Sequence, residues 1–215
     1  MAEANRVEIT MGEEIANSIT HGFGWAMAVI ALVLLVFFSS LEGDPWYITA
    51  GAVYGSGLVL LYASSTLYHS IQARRAKMVF KIIDHSSIFF LIAATYTAYT
   101  LTVLRGLWGW VLFGIVWAGF ILGTVFKVFF SGRFKALSIT IYVVLGWCAL
   151  LAFKPLMDAL AFEGFLLLVA GGIAYSLGAL VYAKRKVRYS HSVWHMFVLA
   201  GSMLHFLSVF FYVVR

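Results

Sequence analysis

Of 215 residues, 63% are hydrophobic and only 11% charged, with a mean hydropathy of +0.95. Soluble domains carry roughly a quarter charged residues, so the composition excludes a water-facing globular domain and fits a chain built for lipid. The formal charge of +6 forms no nucleic-acid stripe, because the basic residues hug the ends of apolar runs. The single cysteine, Cys148, excludes an intrachain disulfide, a Cys-based zinc site and a redox pair.

Along the chain, Glu3, Glu8, Glu13 and Glu14 precede the first apolar run against the lone Arg6. That is the reverse of a cleavable signal's basic start, so the first span is expected to stay as an anchor. A helical span needs about 20 mostly apolar residues. Seven runs qualify, roughly 21–41, 47–70, 79–104, 108–130, 136–153, 163–183 and 192–214. Pro45 and Pro155 are assigned to the short connections between runs. No Ser/Gly linker, low-complexity tract or repeat period interrupts them, so residues 1–215 are read as a single domain. A closed β-barrel also satisfies the backbone in lipid. Stretches such as Ala28–Phe38 show no in/out alternation, however, and the expected fold class is an all-α seven-transmembrane-helix bundle.

Charge then orients it. Arg6, Arg74, Arg75, Lys77, Lys81, Lys127, Arg133, Lys135, Lys184, Arg185, Lys186 and Arg188 fall on the amino-terminal side, 12 of the 15 basic residues. The positive-inside rule places the amino terminus in the cytoplasm and, after seven spans, the carboxy terminus outside. Trp46, Trp108 and Trp110 fit an outer interfacial belt, and Tyr68, Tyr189 and Trp194 an inner one.

With this topology the end of span two and the starts of spans one, three and seven share one edge. Five of the six histidines lie there: His21, His69, His85, His191 and His195. Ionisable side chains within a membrane are costly, so such a gathering points to function. His191 and His195 are i, i+4 neighbours on one helix face, and Ser65 and His69 stand in the same relation on span two. Two imidazoles from one helix and a third from another make the catalytic zinc pattern, three nitrogen ligands with the fourth position left to water. Asp84 is the acidic residue inside a span at this edge, placed to exchange a proton with that water. Ser65 offers a second hydrogen-bonding group.

Blander roles exist for each residue. Interfacial histidines often bond carbonyls or headgroups, Asp84 has Lys81 as an i−3 ion-pair partner, and Ser65 can bond its own i−4 carbonyl. His85 points about 100° from Asp84 and is not read as a ligand. His205 lies about 15 Å deeper than His195 and is read as an interhelical polar contact.

At these residues the chain resembles the bacterial hemolysin III branch of the progestin and adipoQ receptor family, within a superfamily that includes alkaline ceramidases. The matching segments are Glu14-Ile-Ala-Asn17-Ser-Ile-Thr20-His21-Gly22, Ser65-Thr-Leu-Tyr-His69, Asp84-His85, Gly171 to Gly178, and His191-Ser-Val-Trp-His195 onward to His205-Phe206. Their joint order across seven spans is specific. The resemblance implies one zinc ion on His69, His191 and His195 plus water, with Asp84 and Ser65 contacting that water or lining its pocket. Glu14, Asn17 and His21 match the family's first-span motif and share a face, which suits supporting roles around the zinc. Helix-packing polar contact is the other role open to Asn17, and the one preferred for Thr20. One departure stands out: Thr95-Tyr96-Thr97-Ala98 stands where the family pattern has Thr-Tyr-Thr-Pro, which puts a kink there in doubt.

The leading functional expectation is a cell-membrane, zinc-dependent lipid hydrolase, most simply an amidase, taking a membrane lipid from the cytoplasmic leaflet. The amide bond is suggested by analogy with the ceramidases, and fold does not prove function. The alternative is a non-catalytic receptor or membrane-homeostasis regulator with a structural zinc. A pore-forming hemolysin is disfavoured, since a secreted pore former must first be soluble and the polar residues here line no through-path.

Overall fold

The computed structural model describes residues 10–183 and 188–215, and within them every regular element is helical. The order is α1 (Met11–Leu41), α2 (Pro45–Ser70), α3 (Arg74–Thr100), α4 (Leu107–Phe130), α5 (Lys135–Gly146), a 3₁₀ turn (Cys148–Ala152), α6 (Phe153–Ala159), α7 (Phe162–Ala183) and α8 (Ser190–Val209), which ends in a π turn (Phe210–Val214). Seven helical segments are long and apolar enough to cross a membrane, with α5 through α6 and α8 through its π turn each counting once. Arg6 and Lys184, Arg185 and Lys186, used above for orientation, lie outside the described residues.

The first helix begins ten residues before the apolar run that reveals it. Thr10 caps it: its hydroxyl accepts the Glu13 N–H at 3.3 Å, while the Glu13 carboxylate accepts the Thr10 N–H at 2.9 Å. Such a capping box satisfies two end donors and is worth about 1 kcal/mol. Helix α2 starts similarly, with Asp44 accepting the Trp46 N–H and Pro45 in the first turn, where a missing N–H costs nothing.

Glycines set the closest approach. A Cβ at Gly55 would stand 2.6 Å from Leu32 Cδ1, and one at Gly51 would stand 2.6 Å from Ser39 Oγ. Gly51 and Gly55 therefore let α1 lie directly on α2, the small-residue packing that membranes favour. Gly178 and Gly201 do the same between α7 and α8, under Phe197 and against Tyr175. Helix α8 closes back on α1, so the first and last helices meet. Opposite them, α5 touches α3 and α7 only sparsely.

One expectation is corrected. Pro155 is not in a connection: it sits in the first turn of α6, inside the fifth span. A proline ring clashes with the carbonyl four residues back and lacks an N–H, so a continuous α-helix cannot run through this stretch. The Tyr96 hydroxyl bridges the resulting break, donating to Gly146 O at 2.8 Å and accepting the Ala149 N–H at 2.7 Å. In the third span, α3 continues helically through Ala98 to Thr100, and Thr97 Oγ1 bonds back to Ala93 O at 2.7 Å.

Candidate metal centre

The rings of His69, His191 and His195 come together at the end of the bundle that holds the first turn of α1. Ring centroids are 5.0 Å apart for His69 and His191, 5.3 Å for His69 and His195, and 4.6 Å for His191 and His195. One nitrogen from each lies within 4.8 Å of the others, and all three residues are buried. The Nε2 atoms of His69 and His191 are 3.2 Å apart. Two nitrogens bound tetrahedrally at about 2.0 Å would be separated by about 3.3 Å, so this pair already has the spacing a shared ion requires.

Neighbours on α1 orient two of the rings. Glu14 Oε2 lies 2.6 Å from His69 Nδ1, and its other oxygen accepts from Lys77 Nζ at 2.9 Å. A carboxylate held by a lysine makes Nδ1 the protonated nitrogen and turns the Nε2 lone pair toward the centre. Thr20 does the equivalent for His195. Its hydroxyl hydrogen points to Ala16 O and Asn17 O, at 2.9 and 3.0 Å, so its oxygen accepts from His195 Nδ1 at 3.2 Å. His195 Nε2 is then a buried acceptor with no hydrogen-bond partner among the described residues. Buried polar atoms are rarely left unpaired. An orphaned nitrogen aimed into a three-imidazole group fits a cation.

The other expected residues fall into place individually. His21 stacks on His195 with centroids 3.4 Å apart and an interplanar angle of 12°, and stands edge-on to Tyr62. Asn17 Oδ1 accepts from the Ser192 hydroxyl at 2.7 Å, tying α1 to the turn of α8 between His191 and His195. Ser65 is 1% exposed, and its hydroxyl bonds nothing among the described residues, so the back-bond to its own helix is not made. Ser64 makes that bond instead, to Leu61 O. Asp84 lines the cavity beside His69, with Oδ2 at 3.2 Å from His85 Nδ1. His85 therefore swings back toward its neighbour, anchored also on Lys81 O at 2.8 Å, and stays outside the three-histidine group. His205 bonds Leu168 O at 3.0 Å across α7 and α8.

Sequence reasoning missed several contributors. Thr20 was assigned to packing, although it follows Asn17 by three positions and so lies only about 60° from it around the helix. Lys77 and Glu13 were passed over. Glu13 Oε1 accepts the N–H of Tyr189 at 2.7 Å, where Tyr189 has φ 61° just before α8. A left-handed non-glycine residue costs of order 1 kcal/mol or more, and this carboxylate helps hold it. Trp194, expected in the inner interfacial belt, packs against Tyr182, His191 and His195.

The three-histidine end opens into a cavity of about 540 Å³ between α3, α5, α7 and α8. Asp84, His69 and His191 line one region, and His205 with Trp147 the deep one. The walls between are largely Leu, Ile, Val and aromatic side chains. This volume lies in the range of small-molecule sites.

Fold and site together define a class: a multi-pass membrane protein of seven apolar helices with a buried three-histidine group at one end of the bundle. The chain belongs to the haemolysin-III related family, whose profile matches residues 9–206. It is 46% identical over 206 residues to the Hemolysin-3 homolog of Bacillus subtilis, covering 96% of this chain and 97% of that one. It is also 46% identical to Hemolysin-3 of Bacillus cereus, over 94% of this chain and 92% of the relative. More distantly, the human monocyte to macrophage differentiation factor, of the progestin and adipoQ receptor family, is 26% identical across the whole of this chain and 90% of its own length.

Proposed function

We propose that this protein is a zinc-dependent hydrolase of acyl lipids, cleaving an amide bond at the cytoplasmic leaflet. The observation that carries the reading is a three-imidazole group, with tautomers set by Glu14 and Thr20, facing a deep apolar cavity that also holds Asp84. His69, His191 and His195 would hold the ion, which when bound supplies Lewis acidity at a carbonyl and lowers the pKa of water. The cavity takes the acyl chain and excludes solvent. Asp84 accepts the proton of the attacking water and returns it to the leaving amine. Ser65, whose hydroxyl has no hydrogen-bond partner among the described residues, hydrogen-bonds the reacting groups. The bias of basic residues toward the amino-terminal side supports a cytoplasmic location for this end.

Purified protein should release fatty acid from ceramide-like lipids, lose that activity with chelator, and lose it in Asp84→Asn. Equal rates in all three would end the proposal. A second reading, a receptor or membrane regulator with a structural ion, is favoured by one feature: the ligands staple α2 to α8. On that reading His191→Ala lowers thermal stability and no lipid is ever turned over.

A further inference from the structure

The cavity is basic where it opens. Among the described residues, four basic side chains, Lys81, Lys127, Arg133 and Lys135, line it against the single carboxylate of Asp84. Orientation signals need only sit in loops and face water or headgroups. Lys127 does neither: it is 3% exposed and faces the cavity. Its only hydrogen-bond partner among the described residues is the neutral Ser138 hydroxyl, at 2.6 Å, with the Tyr142 ring 5.5 Å away. That hydroxyl donates onward to Phe134 O, so it meets the ammonium with a lone pair and no charge. A buried ammonium with no carboxylate is costly unless an anion completes it.

The surroundings suit a compact oxyanion. Gly132 has φ 78° in the α4–α5 turn, and a Cβ there would stand 3.2 Å from Lys81 Nζ, so the missing side chain leaves room beside a second ammonium. Arg133 follows it, exposed at the rim. Lys135 Nζ is fixed by Tyr182 O at 2.6 Å. On α3, Lys81 precedes Asp84 by three residues, about 4.5 Å along the helix, on the same face.

We propose that Lys127, with Lys81, Arg133 and Lys135, forms a subsite for a phosphate-type oxyanion at the cavity entrance, supplied by a lipid headgroup or by free phosphate. Where the ligand is a lipid, the proposal rests on the acyl-lipid reading of the cavity. It narrows the substrate class to anionic lipids, with the headgroup held beside Asp84 and the chain running toward His205.

The test is binding to detergent-purified, full-length protein in the presence of chelator, so that neither metal nor turnover enters. A short-chain phosphatidate should bind about tenfold more tightly than the matching diacylglycerol, as a charge-assisted contact warrants. Lys127→Gln should abolish the preference, Lys127→Arg should keep it, and Arg133→Gln, at an exposed position, should reduce it two- to threefold. Inorganic phosphate should compete with phosphatidate. If phosphate alone binds in a Lys127-dependent manner and phosphatidate gains nothing over it, the subsite stands with the free ion as its ligand. Equal binding of both lipids by wild type with no binding of phosphate overturns the subsite. So does a preference that survives both Lys127→Gln and Arg133→Gln. Loss of chelator-sensitive hydrolysis with this preference intact sinks the hydrolase reading alone, and the converse sinks the subsite alone.

Discussion

Helices α1, α2 and α8 meet backbone against side chain, whereas α5 stands apart from α3 and α7 around a cavity. Of the apolar window of α2, 56% is buried inside the bundle, against 17% for each of the spans Lys135–Ala159 and Phe162–Ala183. In the tight half, two of the three clustered histidines are held by hydrogen bonds from a neighbouring helix, and glycines bring α1 onto α2. In the loose half, the fifth span breaks and is bridged by a side chain from α3. Close packing joins the helices that carry the histidine group, and the open space lies on the side of α5. Interiors transmit strain when packed to crystal density, so the first half resists change and the second accommodates it.

The sharpest way to break the tight half is at the ligands. His69→Ala should abolish stoichiometric metal in the purified protein, read by elemental analysis beside wild type. Glu14→Gln keeps the ligand but weakens the acceptor behind it, and metal affinity should fall about 10- to 100-fold in a chelator competition. Thr20→Val should follow with a smaller loss, because a neutral hydroxyl orients less strongly than a carboxylate. Packing comes next: Gly55→Ala pushes a methyl against Leu32 and should cost about 1–3 kcal/mol, seen as a lower melting temperature. In the loose half, Tyr96→Phe strips the bridge from the break and should cost about 1–3 kcal/mol while leaving metal content unchanged. Least of all, Gly172→Ala places a Cβ 3.5 Å from the Trp147 ring, an ordinary contact, and should shift stability by less than about 1 kcal/mol. A larger effect at Gly172 than at Gly55 would invert the contrast between the halves.

Much of this was legible in the linear pattern, for identifiable reasons. Apolar run length locates helices in lipid, and i, i+4 spacing places His191 and His195 on one face. The start of α1 was readable in principle from Thr10-Met-Gly-Glu13, a capping box, but an apolar window beginning near residue 21 passes over it. The break in the fifth span was not readable, because its bridge, Tyr96, lies fifty residues away in the chain. The same holds for Thr20 and His195, whose pairing exists only once the first and last helices touch. Lys127 looked like one topogenic charge among many, and only its burial beside Ser138 separates it from the rest.

The contact between α1 and α8 has a consequence for how the molecule is made. Chains emerge from the ribosome amino terminus first. Glu14 and His69 are thus in place while His191 still lies 122 positions further along the chain than His69. A nascent chain arrested anywhere short of residue 195 holds the acceptors and no complete imidazole group. Assembly of the three-imidazole group therefore waits for α8, and a product that stops before residue 195 is marked by what it cannot bind.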